Sequence, residues 1–275
     1  MISNKIIKTM IFSGMTFLFL IGFATTANAS SQYLSKLSND QYLETRQTIH
    51  TTNSYFKDLK ITIPKGTIFQ SGSLGKGVKT GKPYVTIDMN NLSWPLRKGI
   101  IQSKHGVTTT KYIWAKKSYF KKVSAPKYQS YHKDTFTGRI GGLVWQGNKS
   151  FPLKQQYKIE NCFRVTDNGY LEYFTGYDYW VSKMPQPHSY AKVQKFIKKG
   201  NSSYFYTKTK VSGLPMIHVH KKGNDRYRLK VTKTDQHLAT INPDANKKYD
   251  DSVTISIRYY VGGKKFYIPS QTIYP

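Results

Sequence analysis

Ile257-Arg258-Tyr259-Tyr260-Val261-Gly262-Gly263-Lys264-Lys265-Phe266-Tyr267-Ile268 is the stretch from which the fold is read. Gly-Gly accepts the positive φ angles of a two-residue hairpin turn, and the residues on both sides are aromatic or β-branched. Centring the turn on Gly262-Gly263 pairs Tyr259 with Phe266 and Arg258 with Tyr267. One face of the hairpin is then apolar, and the other sets a guanidinium beside a phenol ring. Asn168-Gly169 offers the same signal, and a two-residue turn there pairs Phe163 with Phe174 and Arg164 with Tyr173. In that register Glu172 falls beside Val165 and Glu160 beside Tyr177.

Period-two alternation extends outward from these hairpins. Ile61 and Ile63 alternate with Lys60 and Thr62, Val85 and Ile87 with Tyr84 and Thr86, and Tyr227, Leu229 and Val231 with Arg226, Arg228 and Lys230. Each is a strand with one buried and one wet face. Only the lead at residues 30–48 departs, because Leu34, Leu37 and Leu43 within Tyr33–Glu44 fit one or two helical turns. Thr110–Trp114, Tyr177–Val181 and Lys264–Ile268 look like three copies of one closing strand, the first turned at His105-Gly106. The turn formers at Lys121–Pro126 and Lys198–Asn201 then divide an all-β chain into three units, 49–122, 123–198 and 199–275. The alternative is a single larger β-sandwich or barrel.

Residues 1–29 are expected to be a signal peptide. Lys5 and Lys8 precede an uncharged run from Met10 to Ala24, and Ala27-Asn28-Ala29 supplies small residues for cleavage. No later run is apolar enough to span a bilayer, so no transmembrane anchor is expected in the mature chain. Removing the two lysines and no acid takes the formal charge from +29 to +27. Such a charge attracts polyanions. Outside a cell these are wall polymers, acidic glycans and anionic lipid headgroups, and intracellular nucleic acid is excluded as a partner. The single cysteine, Cys162, allows no intramolecular disulfide and reads as a buried apolar side chain.

Ile61-Thr62-Ile63-Pro64-Lys65-Gly66-Thr67, the glycine-rich run Gly72–Gly81 and Tyr84-Val85-Thr86-Ile87 resemble the opening of bacterial SH3-like domains. The strands carrying Tyr112, Tyr179 and Tyr267 are similar to the ends of such domains. Composition and pattern resemble exported lactobacillus-type surface proteins with surface-layer-type wall-binding repeats. The resemblance implies tandem small SH3-like barrels, about three, attached noncovalently to a Gram-positive cell wall through peptidoglycan or its secondary polymers; the chain departs from the better-known members in that no catalytic domain accompanies the modules.

The residues expected to contact an anionic polymer are Arg226, Arg228 and Lys230 on one strand face, with the Arg164–Tyr173 and Arg258–Tyr267 pairs of the hairpins. Cations meet phosphates or uronates, and ring faces stack on sugars. His218-Val219-His220 is the one enzyme-like signal, since residues i and i+2 of a strand share a side and two imidazoles suit zinc. It lacks the His-x-x-x-Asp partner of secreted zinc peptidases of the wall. No glycosidase carboxylate pair or nucleophile elbow is present. The expectation is therefore a secreted, non-enzymatic wall binder without a cofactor, with a zinc-dependent peptidoglycan hydrolase and a secreted polyanion or nucleic-acid binder as alternatives.

Overall fold

The computed structural model describes residues 32–38, 41–53, 59–72, 74–101, 110–132, 142–147, 160–177, 185–242 and 252–273. The signal segment expected over residues 1–29 lies outside them, as do His105-Gly106 and residues 178–181 of the expected repeat.

Alternation decides the first elements. Lys60–Ile63 is a strand whose Ile61 and Ile63 are buried while Lys60 and Thr62 are exposed. The first unit contains β1 (Tyr42–Thr45), β2 (Ile49–Thr52), β3 (Lys60–Ile63), β4 (Ile68–Gln70), β5 (Leu74–Lys76) and β6 (Pro83–Asp88). Helix α1 (Trp94–Ile101), β7 (Thr110–Trp114) and β8 (Phe120–Lys122) complete it. The strands form three small antiparallel sheets, β4-β1-β8, β2-β3 and β5-β6-β7, around a core that includes Leu43, Ile63, Phe69, Val85, Ile87, Leu92 and Phe120. The helical turns expected across Tyr33–Glu44 do not form among its described residues, 33–38 and 41–44. Tyr33 bridges Lys116, and β1 lies between β4 and β8 with Leu43 fully buried, so sheet pairing overrides the leucine spacing.

The second unit begins with a 3-10 helix at Lys127–His132. It continues through β9 (Val144–Gln146), β10 (Glu160–Val165), β11 (Tyr170–Tyr177), β12 (Ser189–Lys199) and β13 (Ser202–Thr207). It ends with β14 (Ile217–His218), β15 (Tyr227–Asn242), β16 (Ser252–Val261) and β17 (Lys264–Ile273). These nine strands form one sheet in the order β13-β12-β11-β10-β9-β17-β16-β15-β14, and β13 also pairs with β15. All but β14 therefore close into an antiparallel barrel of eight strands, a size whose interior side chains can fill. Phe163, Phe205, Leu229, Tyr259 and Phe266 fill it. Tyr131, carried in by the 3-10 helix, stacks on Phe163 at 6.4 Å and meets Phe205 edge-on at 5.6 Å.

All-β is thus correct, but the expected units 123–198 and 199–275 share one sheet. Their boundary at Lys198–Asn201 is a hairpin: Lys199 lies opposite Ser202, with Gly200 at φ 53°. A Gly-Asn pair makes a tight turn as readily as a linker, and six registered pairs from Ser202–Thr232 to Thr207–Tyr227 then close the barrel.

The hairpin at Gly262-Gly263 has the expected register, Tyr259 opposite Phe266 and Arg258 opposite Tyr267, with both glycines at positive φ. The hairpin at Asn168-Gly169 is shifted by one residue. Val165 pairs with Leu171, Arg164 with Glu172 and Phe163 with Tyr173. The turn there has three residues, Asp167-Asn168-Gly169: Thr166 and Tyr170 still bond across it, and Gly169, at φ 77°, donates back to the Thr166 carbonyl. Three-residue hairpins take glycine at this left-handed position.

That shift joins the two units. Glu172 accepts from Arg97 Nη1 at 2.8 Å, from Arg164 Nη2 at 3.2 Å and from the Trp94 backbone N–H, the start of α1, at 2.7 Å. All three charged side chains are buried. Arg97 Nη1 also donates to the Leu92 carbonyl at 2.6 Å, and Arg164 Nη2 donates to that of Asn90. Asn168 pairs with Ser93 through two bonds of 2.9 Å, and Asp167 accepts the Gln70 N–H at 2.9 Å. The tip of one barrel hairpin is therefore plugged into the first unit by paired polar groups, with Arg97 Nε the one buried donor of the set left without a partner among the described residues.

Candidate polyanion-binding surface

Four of the seven expected contact residues are buried. Arg164 points away from the barrel interior but lies under the first unit, paired with Glu172. Tyr173, opposite Phe163, belongs to the barrel core, where it packs so closely on Gly213 that a Cβ there would stand 2.0 Å from its ring. Arg258 donates to the Gly147 carbonyl at 2.7 Å. Tyr267 is sealed beside Trp145 and Tyr177 and donates its hydroxyl to Glu160 at 2.7 Å, and burial together with that carboxylate pushes its pKa far up.

The other three, Arg226 just before β15 and Arg228 and Lys230 at its start, do face outward. Lys230 is exposed, Arg226 and Arg228 are half-buried, and Leu229 and Val231 between and beyond them point into the barrel. The arginines are held on aromatic faces, Arg228 5.4 Å over Tyr204 and Arg226 5.7 Å over Tyr227. Each such contact contributes about 0.5–1 kcal/mol when exposed and fixes the guanidinium in place.

Pairing across the barrel extends this arrangement over four strands. Tyr206 lies between Arg228 on β15 and Lys195 on β12, and Tyr204 lies opposite Lys230. Lys195 sits 5.4 Å over Tyr206, and farther along Lys192 sits 4.9 Å over Tyr170 on β11. Lys195 is outside only because the register shifts between Val193 and Lys195. The irregularity keeps Ala191, Val193 and Phe196 on the core side while turning a residue that strict alternation would bury into the belt. At one end the cations crowd, and burial together with nearby Lys233 lowers the pKa of Lys198. The acids of these strands lie elsewhere: Glu172 is in the unit interface, and Asp235 lies past the last β13–β15 pair. Asp225, just before β15, faces His220 at 3.9 Å.

Lys192, Lys195, Tyr170, Tyr204 and Tyr206 are absent from the residues read as contacts in the sequence. The alternation of Ser202-Ser203-Tyr204-Phe205-Tyr206-Thr207 carries the signal for the two tyrosines, with Ser203 and Phe205 inward. The lysines follow only from the pairing.

His218 and His220 do not share a strand side. β14 ends at His218, whose ring lies 5.0 Å from that of Tyr227, while His220 follows outside the strand. No group of three His, Cys, Asp or Glu side chains able to hold a metal occurs among the described residues. Cys162 is buried, as expected, and burial raises its thiol pKa. No helix among the described residues is long and apolar enough to cross a membrane. Comparison of the chain with protein-family models, curated proteins and solved structures finds no match.

Proposed function

We propose that this protein is exported and binds anionic cell-envelope polymers noncovalently, as a non-enzymatic surface protein of a Gram-positive cell. The observation that supports this reading best is the belt of Lys192, Lys195, Arg228 and Lys230, interleaved with Tyr170, Tyr204 and Tyr206, on one side of a closed barrel. Alternating cations and ring faces match a polymer that alternates charge with sugar or polyol units. The stacked rings hold Lys192, Lys195 and Arg228 in place, so binding through them costs less side-chain entropy. Secretion rests on residues 1–29, and the attraction of a polyanion on the formal charge of +27 left when their two lysines are removed from +29.

The test is cosedimentation of residues 30–275 with purified Gram-positive walls before and after teichoic acid is stripped. Retention that drops with the phosphate polymer supports the reading. Equal binding to stripped walls and to an uncharged polysaccharide contradicts it, and preference for free DNA over walls would favour a soluble polyanion partner.

A further inference from the structure

A groove of about 410 Å³ opens on the first unit between β2 and β7, and none of the belt residues lines it. Among the described residues β2 pairs only with β3 and β7 only with β6, so the groove lies between two strand edges that do not pair with each other. Its chemistry comes from Tyr84, Tyr112, Trp114, Tyr119, Lys111 and Lys116, and no acidic residue lines it among the described residues.

The rings are seated by glycines. A Cβ on Gly75 would stand 2.3 Å from the Tyr84 hydroxyl, and one on Gly77 would stand 2.7 Å from the Trp114 ring, so both rings lie against bare β5 and its exit. Tyr84 meets Tyr112 edge-on at 5.5 Å. The outer faces stay open: Tyr112 is 44% and Trp114 38% exposed, a large cost in water for aromatic groups that the fold could have covered. Lys116 is held 5.5 Å over Tyr119. Lys111 is half-buried, and burial lowers its pKa. Its ammonium has no ion pair or hydrogen bond among the described residues, so a partly desolvated cation lines the groove without an anion.

We propose that this groove is a second binding site, which takes a short anionic saccharide. The Tyr112 and Trp114 faces stack on the C–H faces of sugar rings, and Lys111 and Lys116 meet a carboxylate or phosphate. The volume falls within the range of about 300–1,000 Å³ typical of small-ligand sites, so the groove reads two or three sugar units rather than a long polymer. The site stands on its own residues and does not depend on the belt.

Titration calorimetry on residues 30–275 with trigalacturonate, glucose 6-phosphate and neutral galactotriose tests it, the first two separating carboxylate from phosphate. At least one anionic sugar should bind, at least tenfold more tightly than galactotriose. Trp114→Ala and Lys111→Gln should each weaken it tenfold or more with an unchanged thermal melt, and Gly77→Ala, which pushes the Trp114 ring away, should also weaken it. Lys111→Gln changes a partly exposed side chain, so it reports on the site even if Trp114→Ala fails to fold. Failure of both anionic sugars, equal binding of the neutral one, indifference to Lys111→Gln, or tighter binding of an extended acidic peptide would each overturn the proposal.

Discussion

Asp167 is buried at the meeting point of the two units, where its carboxylate accepts only a backbone N–H that lowers its pKa, against burial that raises it. Burial wins, and the pKa rises from 3.8 to about 7. A pKa raised on folding means that the folded state holds the proton more tightly. This group's favourable contribution is therefore complete below about pH 4 and is lost as pH rises through about 7. Asp167→Asn, which keeps an acceptor for Gln70 and never ionises, should flatten the pH dependence across that window. In urea unfolding the variant should gain on the native chain between pH 4 and pH 8, by at most about 4 kcal/mol at one pKa unit per 1.4 kcal/mol. An unchanged pH profile would show that the Asp167 carboxylate is not desolvated in solution. On Glu172, two guanidiniums and the N–H that opens α1 converge. Removing one member of such a buried set strands charge and costs about 3–5 kcal/mol, which explains why Arg164 serves the fold and not a ligand.

Turns decide the elements. Gly262 and Gly263 both have positive φ, but a Cβ on Gly262 would meet the Pro215 carbonyl at 2.6 Å, while one on Gly263 meets nothing within 4 Å. Gly263→Ala should cost about 1 kcal/mol, the penalty of the left-handed region, and Gly262→Ala clearly more, because backbone must also move. Equal losses in thermal unfolding would place the two sites in the same environment. This hairpin was legible in register because a Gly-Gly turn leaves one choice of pairing. Asn168-Gly169 was not, since the dipeptide serves equally the last two positions of a three-residue turn, and the one-residue slip exchanges Tyr173 for Glu172 opposite Arg164. Period two also reports only which residues leave the barrel interior. Arg164, Arg258 and Tyr267 do so, yet their outer faces are covered, whereas Arg228 and Lys230 stay accessible. Nothing in the local pattern separates these cases, because the cover comes from segments far away in the chain.

The whole molecule combines a small multi-sheet unit with a closed barrel. Closure leaves the barrel no long free edge, so its outer face can carry a dense basic surface without inviting strand pairing. The formal charge of +27 left on residues 30–275, two lysines fewer than the +29 of the full chain, acts against the folded state through self-repulsion, and the belt concentrates part of that charge where an anion relieves it. The most direct test is the salt dependence of wall binding for residues 30–275 beside a variant with Lys195, Arg228 and Lys230 changed together to Gln. Contacts to a phosphate polymer release counterions, so the logarithm of the binding constant should fall linearly with the logarithm of salt concentration. The variant should bind at least tenfold more weakly at low salt, with a slope shallower by about one for each lost phosphate contact, and retain its melting temperature. Wall binding of the folded variant with the native affinity and slope would contradict the assignment of the belt as the binding surface.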